Sequence, residues 1–368
     1  MDSTSSDHLF ESFGATTKND WLAAAKLELG GADPYKKLTS KKGGLTILPY
    51  FDRDDALKDH FQLKPAQSDF LGARAFLNMP GLSVINESES NRKALSELNA
   101  GADGIIFNIN NPKTNIPALL EKIEWAYCGI SFAGEITEQF LNSLHSYAGE
   151  KKFDVGTFTG CVFTNRSQHK IEILKLFENW ANFHPLGIEL VEKESTAEEI
   201  ASALAKAVKQ IDLITDHGLS VKQALKSIAF HMPVGEDFFL TIAKLKVLRI
   251  LWNNVVKQFD PQSNLPIFIH TTSMPWIKKV YQPNSNLIKS TTAAIAAILG
   301  GCDALTIIPE DDNNPMTQRV ARNVSSVLRD ESQLSRVADP TAGSYYLEHL
   351  IDQLAEQTWG SFKKQVNS

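Results

Sequence analysis

Gly101-Ala102-Asp103-Gly104-Ile105-Ile106-Phe107-Asn108-Ile109 carries the fold in miniature. A helical stretch over 91–99 runs into a glycine, the residue that turns most easily past a helix C-terminus. The run 104–109 after the turn is apolar nearly throughout, as a parallel strand is when helices cover one side and side chains fill the other. The same punctuation returns as Gly300-Gly301-Cys302-Asp303 ahead of an apolar run over 304–309.

Working outward from these two turns, β-rich runs fall at 82–86, 104–109, 129–133, 154–159, 187–191, 227–231, 266–271 and 304–309. Helical patterns lie between them at 91–99, 117–126, 137–147, 168–182, 197–215, 238–256 and 285–299. Eight β-then-α units match a (β/α)8 barrel, which takes about 250 residues, better than a doubly wound sheet. A helix over 316–328 comes next, then the turn Asp339-Pro340-Thr341-Ala342-Gly343-Ser344. The segment 346–362 puts Leu347, Leu350, Ile351 and Leu354 on one face and is expected to close the chain against the barrel as an amphipathic helix. Ahead of the barrel, 21–29 reads as a helix stopped by Gly30-Gly31. The expected organisation is an N-terminal extension over 1–80 and a barrel over 81–368.

The chain has 368 residues, 43% apolar, 9% aromatic and 22% charged, which is an ordinary globular composition. Its 37 Lys and Arg against 43 Asp and Glu include no basic block able to neutralise a run of phosphates, so no nucleic-acid partner is expected. Cys128, Cys161 and Cys302 are far apart and form no Cys-x-x-Cys pair, which argues against a zinc cluster or disulfide framework and for a reducing compartment. No signal peptide or run approaching the ~18 apolar residues of a membrane span is present, and a cytoplasmic protein with no membrane contact is expected.

Barrel chemistry sits at the C-terminal ends of the strands. The residues there whose side chains suit a pocket are Asn108, Thr157, Glu189, His231, His270 and Thr272. His231 and His270 are the acid–base candidates by type, since imidazole titrates near neutrality; packing histidines held by hydrogen bonds are the alternative. Glu310-Asp311-Asp312 could attract a hard cation, but three consecutive carboxylates read better as a solvated loop, and no metal site is expected. No phosphate-cradling glycine loop, Gly-x-Ser-x-Gly or His-Glu-x-x-His is present. Amides, hydroxyls and two histidines fit no named mechanism on residue type alone.

Several stretches resemble the cobalamin-dependent methylmalonyl-CoA mutases. Val234-Gly-Glu-Asp-Phe-Phe-Leu-Thr-Ile-Ala-Lys-Leu-Lys-Val-Leu-Arg-Ile-Leu-Trp252 is similar to that family's long helix. Asn286-Leu-Ile-Lys-Ser-Thr-Thr-Ala-Ala-Ile-Ala-Ala-Ile-Leu-Gly-Gly-Cys-Asp303 resembles the stretch before its last strand. Arg319-Val-Ala-Arg-Asn323 and Asp339-Pro-Thr-Ala-Gly-Ser-Tyr-Tyr-Leu-Glu348 resemble the part of the family after that strand. Asp20-Trp21, Leu27-Glu-Leu-Gly-Gly-Ala32 and Lys37-Leu38 look like the start of the family's small, non-catalytic subunit.

The resemblance implies that the barrel over 81–368 is of the acyl-CoA mutase type. It implies an adenosylcobalamin-dependent holoenzyme that interconverts methylmalonyl-CoA and succinyl-CoA, with acyl-CoA bound in a barrel. It also implies a heterodimer with a large catalytic subunit, self-association being the alternative. The family's cobalt-ligating Asp-x-His-x-x-Gly loop is not found: Asp216-His217-Gly218 has the wrong spacing. A C-terminal cobalamin-binding domain is expected to be absent, with no cofactor bound by this chain alone. The family's Arg-Gln-Tyr stretch is replaced by Arg74-Ala75-Phe76, its Tyr-His pair by Gly187-Ile188-Glu189-Leu190-Val191, and its His-Cys-Gln-Thr-Ser-Gly-Trp by His270-Thr271-Thr272-Ser273-Met274-Pro275-Trp276. An acidic or apolar group cannot stabilise charge on a thioester oxygen, so no catalytic residue is expected and a structural role in the mutase is. Two other readings stay open. One is an acyl-CoA mutase barrel served by a cobalamin domain on another chain through Glu189, His231 and Thr272; the other is a stand-alone barrel with different chemistry around His231 and His270.

Overall fold

The computed structural model describes residues 16–57, 76–164, 171–263, 265–274 and 285–367. Eight parallel strands succeed one another around a (β/α)8 barrel: β1 (Leu77–Asn78 and Gly81–Val84), β2 (Gly104–Ile109), β3 (Gly129–Gly134), β4 (Thr159–Thr164), β5 (Asn182–His184 and Leu186–Glu189), β6 (Ile228–Val234), β7 (Ile269–Ser273) and β8 (Ala304–Thr306). The ladder changes hands at two prolines. Leu77 and Asn78 of β1 pair with β8, and after Pro80 the strand pairs with β2 instead. Asn182–His184 of β5 pair with β4, and after Pro185 the strand pairs with β6. Proline has no N–H to donate, so each is a natural place for a strand to let go of one neighbour and take the next. Strands 1 and 5 lie half a barrel apart, so the two breaks are opposed.

The helices are α1 (Lys18–Glu28), α2 (Pro34–Leu38), α3 (Glu87–Asn99), α4 (Ile116–Leu119), α5 (Glu138–Glu150), α6 (Ile171–Lys175), α7 (Thr196–Asp216), α8 (Val221–Ser227), α9 (Phe238–Phe259), α10 (Ser285–Gly300), α11 (Pro315–Ser326) and α12 (Tyr345–Val366). The closing helix behaves as its pattern predicts: α12 lies against α7 and α9 and buries Leu347, Leu350, Ile351 and Leu354. The extension is held to this side of the barrel. Trp21 stacks on Tyr50 with ring centroids 4.6 Å apart, Phe51 stacks on His349 of α12 at 4.9 Å, and the backbone N–H of Thr196 donates to the carbonyl of Gly43 at 3.1 Å.

Three sequence expectations are corrected. The run 154–159 is not a strand: Asp154 accepts the N–H of Gly156 on its side chain and the hydroxyl of Thr157 on its carbonyl, which folds 155–157 into a 3-10 turn. The fourth strand starts only at Thr159, so Thr157 lies at the wrong end of the barrel for the site. The helix expected over 117–126 is one turn, α4, because Lys122 takes a left-handed φ of 59°. Trp125 after it stacks on Phe158 at 4.3 Å in an aromatic cluster with Trp180 and Phe183. Of the helix expected over 168–182, only α6 is helical and 176–179 form a turn beside this cluster; residues 168–170 lie outside the described residues. Among the described residues no helix is long and apolar enough to cross a membrane.

Candidate functional site at the strand C-terminal ends

The interior is packed before it reaches the mouth. Ile106 of β2, Cys161 and Phe163 of β4 and Ala229 of β6 form one buried cluster, all from even-numbered strands, as the layered core of this fold requires. Phe163 can lie there because its neighbour on β5 is Gly187: a Cβ at 187 would come within 2.1 Å of the Phe163 ring and 2.4 Å of the Val162 carbonyl oxygen. Above this layer remains a cavity of about 290 Å³ whose lining includes Asn108, Glu189, His231, Thr272, Thr306 and Asp312.

Four of the six expected site residues therefore meet, although they come from strands 2, 5, 6 and 7. Register explains the meeting. His231 pairs with Glu189 on one side and with His270 on the other, while Thr272 stands two residues beyond His270. His231 Nε2 lies 2.9 Å from Thr272 Oγ1, and its Nδ1 lies 4.0 Å from Glu189 Oε1. His270 is fully buried and bonds Thr306 Oγ1 through Nε2 at 2.8 Å, so it supports the cavity wall from within. Thr157, ahead of the start of β4, is excluded. Arg74, Ala75, Pro275 and Trp276 lie outside the described residues.

The two histidines carry opposite tautomers. Thr306 donates its hydroxyl hydrogen to the Met79 carbonyl at 2.6 Å, so it can only accept from His270, whose hydrogen is thereby fixed on Nε2. His270 Nδ1 is left as a buried lone pair with no partner among the described residues. His231 is the reverse. A carboxylate facing Nδ1 favours the hydrogen there, which leaves Nε2 to accept from the Thr272 hydroxyl. Burial pushes His231 down to about 4. Burial and then the neighbouring His231 push His270 down to about 3, so both are neutral at neutral pH.

Sequence reasoning missed Ser83, Phe163 and Thr306, and it set Asp312 aside as part of a solvated loop. Thr306 could have been found, since it ends β8; the expected strand over 304–309 ran three residues too far. Phe163 was hidden by the misplaced fourth strand.

Among the described residues that line the cavity there is no lysine or arginine, and Glu189 and Asp312 are acidic. The volume is at the low end of the ~300–1,000 Å³ that takes a drug-sized ligand. A corrin does not fit it. His217 ends α7 with Nδ1 2.8 Å from the Leu213 carbonyl, and Gly218 turns the chain at φ +90°, so this is a helix-end turn remote from the cavity. The cavity thus does not suit adenosylcobalamin.

The family model described as methylmalonyl-CoA mutase matches residues 186–367. The methylmalonyl-CoA mutase small subunit of Porphyromonas gingivalis is 25% identical, over 97% of this chain and 64% of that protein. The small subunit of Streptomyces virginiae is 36% identical over 46% of this chain and 28% of its own length. The methylmalonyl-CoA mutase of Escherichia coli is 33% identical over 44% of this chain and 23% of its own. The chain spans less than two thirds of the length of these relatives.

Proposed function

Because the chain belongs to the methylmalonyl-CoA mutase family, we propose that it is a small-subunit-type component of an adenosylcobalamin-dependent mutase interconverting (R)-methylmalonyl-CoA and succinyl-CoA. In this reading it supports a large catalytic subunit in a cytoplasmic heterodimer and performs none of the isomerisation itself. The acyl-CoA and the cofactor are then both held by the partner. Its two parts are the N-terminal extension and the barrel, whose first strand begins at Leu77.

One observation carries the reading: the barrel mouth holds about 290 Å³ above a core filled by Phe163 and lined at its rim by Glu189 and Asp312. A substrate with a free carboxylate and a developing charge on its thioester oxygen needs donors or cations there. The two carboxylates repel the substrate's free carboxylate, and no lysine or arginine among the described lining residues offsets them. The two relatives named as small subunits point the same way.

The test fills the cavity without touching its polar groups. Ala133 lines it, and Ala133→Leu occupies part of the space. The complex of this variant with a mutase large subunit is expected to isomerise within about twofold of the unsubstituted complex. A loss of tenfold or more, with the complex intact by size exclusion, contradicts the reading.

A further inference from the structure

Glu189, His231 and Thr272 reproduce the order carboxylate, imidazole, hydroxyl that activates a nucleophile. The hydroxyl-to-imidazole distance of 2.9 Å is within the range for direct proton transfer, and the Glu189 carboxylate stands 4.0 Å from Nδ1, where closing to a hydrogen bond would favour the tautomer whose Nε2 is free to accept. The three groups end at a cavity instead of being sealed in packing, and Asn108 lines the same space with an amide that has no hydrogen-bond partner among the described residues. His270, one strand position away, has its tautomer fixed in the opposite sense by Thr306 and is a structural group.

We propose that this cavity has an acyl-transfer activity of its own, cleaving activated esters or thioesters of short acyl groups, with Thr272 as nucleophile and His231 as base. Glu189 is the positioning residue, and the Asn108 amide is the donor available to the oxyanion. Thr272 Oγ1 bonds to the acyl carbon as its proton passes to His231 Nε2. The bond from that carbon to the leaving oxygen or sulfur then breaks, and the leaving group takes the proton. Water attacks the acyl-threonine, giving a proton to His231. The acyl–Oγ1 bond breaks, Thr272 regains the proton and a carboxylic acid leaves. Ester and water are the only reactants, and nothing is oxidised or reduced. The cavity volume restricts the acyl group to a short one. The proposal goes beyond the subunit role and stands on this chain alone.

The full-length chain without any partner is mixed with p-nitrophenyl acetate, and nitrophenolate release is monitored while the protein mass is read. The expected result is a burst of one nitrophenolate per chain with an acetyl group mapped to Thr272. Thr272→Val removes burst and adduct, and Thr272→Ser keeps both. His231→Gln slows acylation about a hundredfold or more. Glu189→Gln slows it and changes the pH profile, with partial rescue by Glu189→Asp. The wild-type adduct decides the matter even where a variant does not fold. Hydrolysis unchanged in Thr272→Val, or acetyl found only on other residues, overturns the proposal.

Discussion

Lys246 Nζ, on a side chain almost wholly buried, lies 2.8 Å and 2.9 Å from the two carboxylate oxygens of Asp339 and 2.6 Å from Thr341 Oγ1. The lysine belongs to the long-helix stretch that resembles the mutases, and the aspartate to the Asp-Pro-Thr-Ala-Gly-Ser stretch beyond the last barrel strand. Two of the most specific motifs therefore lock to each other on the outside of the barrel, away from the mouth. They mark the scaffold, which is why they can be kept while the substrate contacts differ.

Breaking one side of a buried ion pair strands the other charge. Lys246→Met is expected to cost about 3–5 kcal/mol, and pairing it with Asp339→Leu to recover much of that loss. Urea unfolding of the three proteins checks it. A double variant no more stable than Lys246→Met would contradict the expected recovery.

Acid should weaken the fold through its buried histidines. Burial holds His184 and His231 down to about 4 and His270 down to about 3, against an unfolded value near 6.5. Below pH 6.5 the unfolded chain takes up protons that the folded chain refuses, so stability falls as pH drops from about 6.5 toward 4; above 6.5 these groups contribute no slope. Replacing His270 with Gln should flatten that fall. Urea midpoints between pH 7.5 and 4.5 measure it, and a fall as steep in the variant as in the wild type would assign the acid sensitivity to other groups.

Gly187 should be intolerant of a side chain. A Cβ would come within 2.1 Å of the Phe163 ring and 2.4 Å of the Val162 carbonyl oxygen, and the backbone oxygen cannot swing aside. Gly187→Ala is expected to cost about 1–3 kcal/mol, read from the urea midpoint. Adding Phe163→Leu relieves only the contact with the ring, so it should not rescue the loss fully.

The sequence made strands 2, 3 and 8 and the long helices legible because a buried parallel strand has an unbroken apolar run and the glycine turns are explicit. It misplaced strand 4, where the start of the 154–159 stretch is pulled into a turn by Asp154. That error carried Thr157 into the candidate set and hid Phe163. Asn108, Glu189, His231 and Thr272 were found by position at strand ends. That His231 meets Thr272, and His270 meets Thr306, depends on the register of β6, β7 and β8, which no local pattern encodes. The same holds for Lys246 and Asp339, which are 93 residues apart.

The most direct measurement is to co-express this chain with the mutase large subunit from the same source, isolate the product by size exclusion, and assay it with adenosylcobalamin and methylmalonyl-CoA. A stable 1:1 complex that isomerises is expected, with no isomerisation by this chain alone and no loss with Ala133→Leu. Isomerisation by this chain alone, or the absence of any complex, would contradict the supporting role.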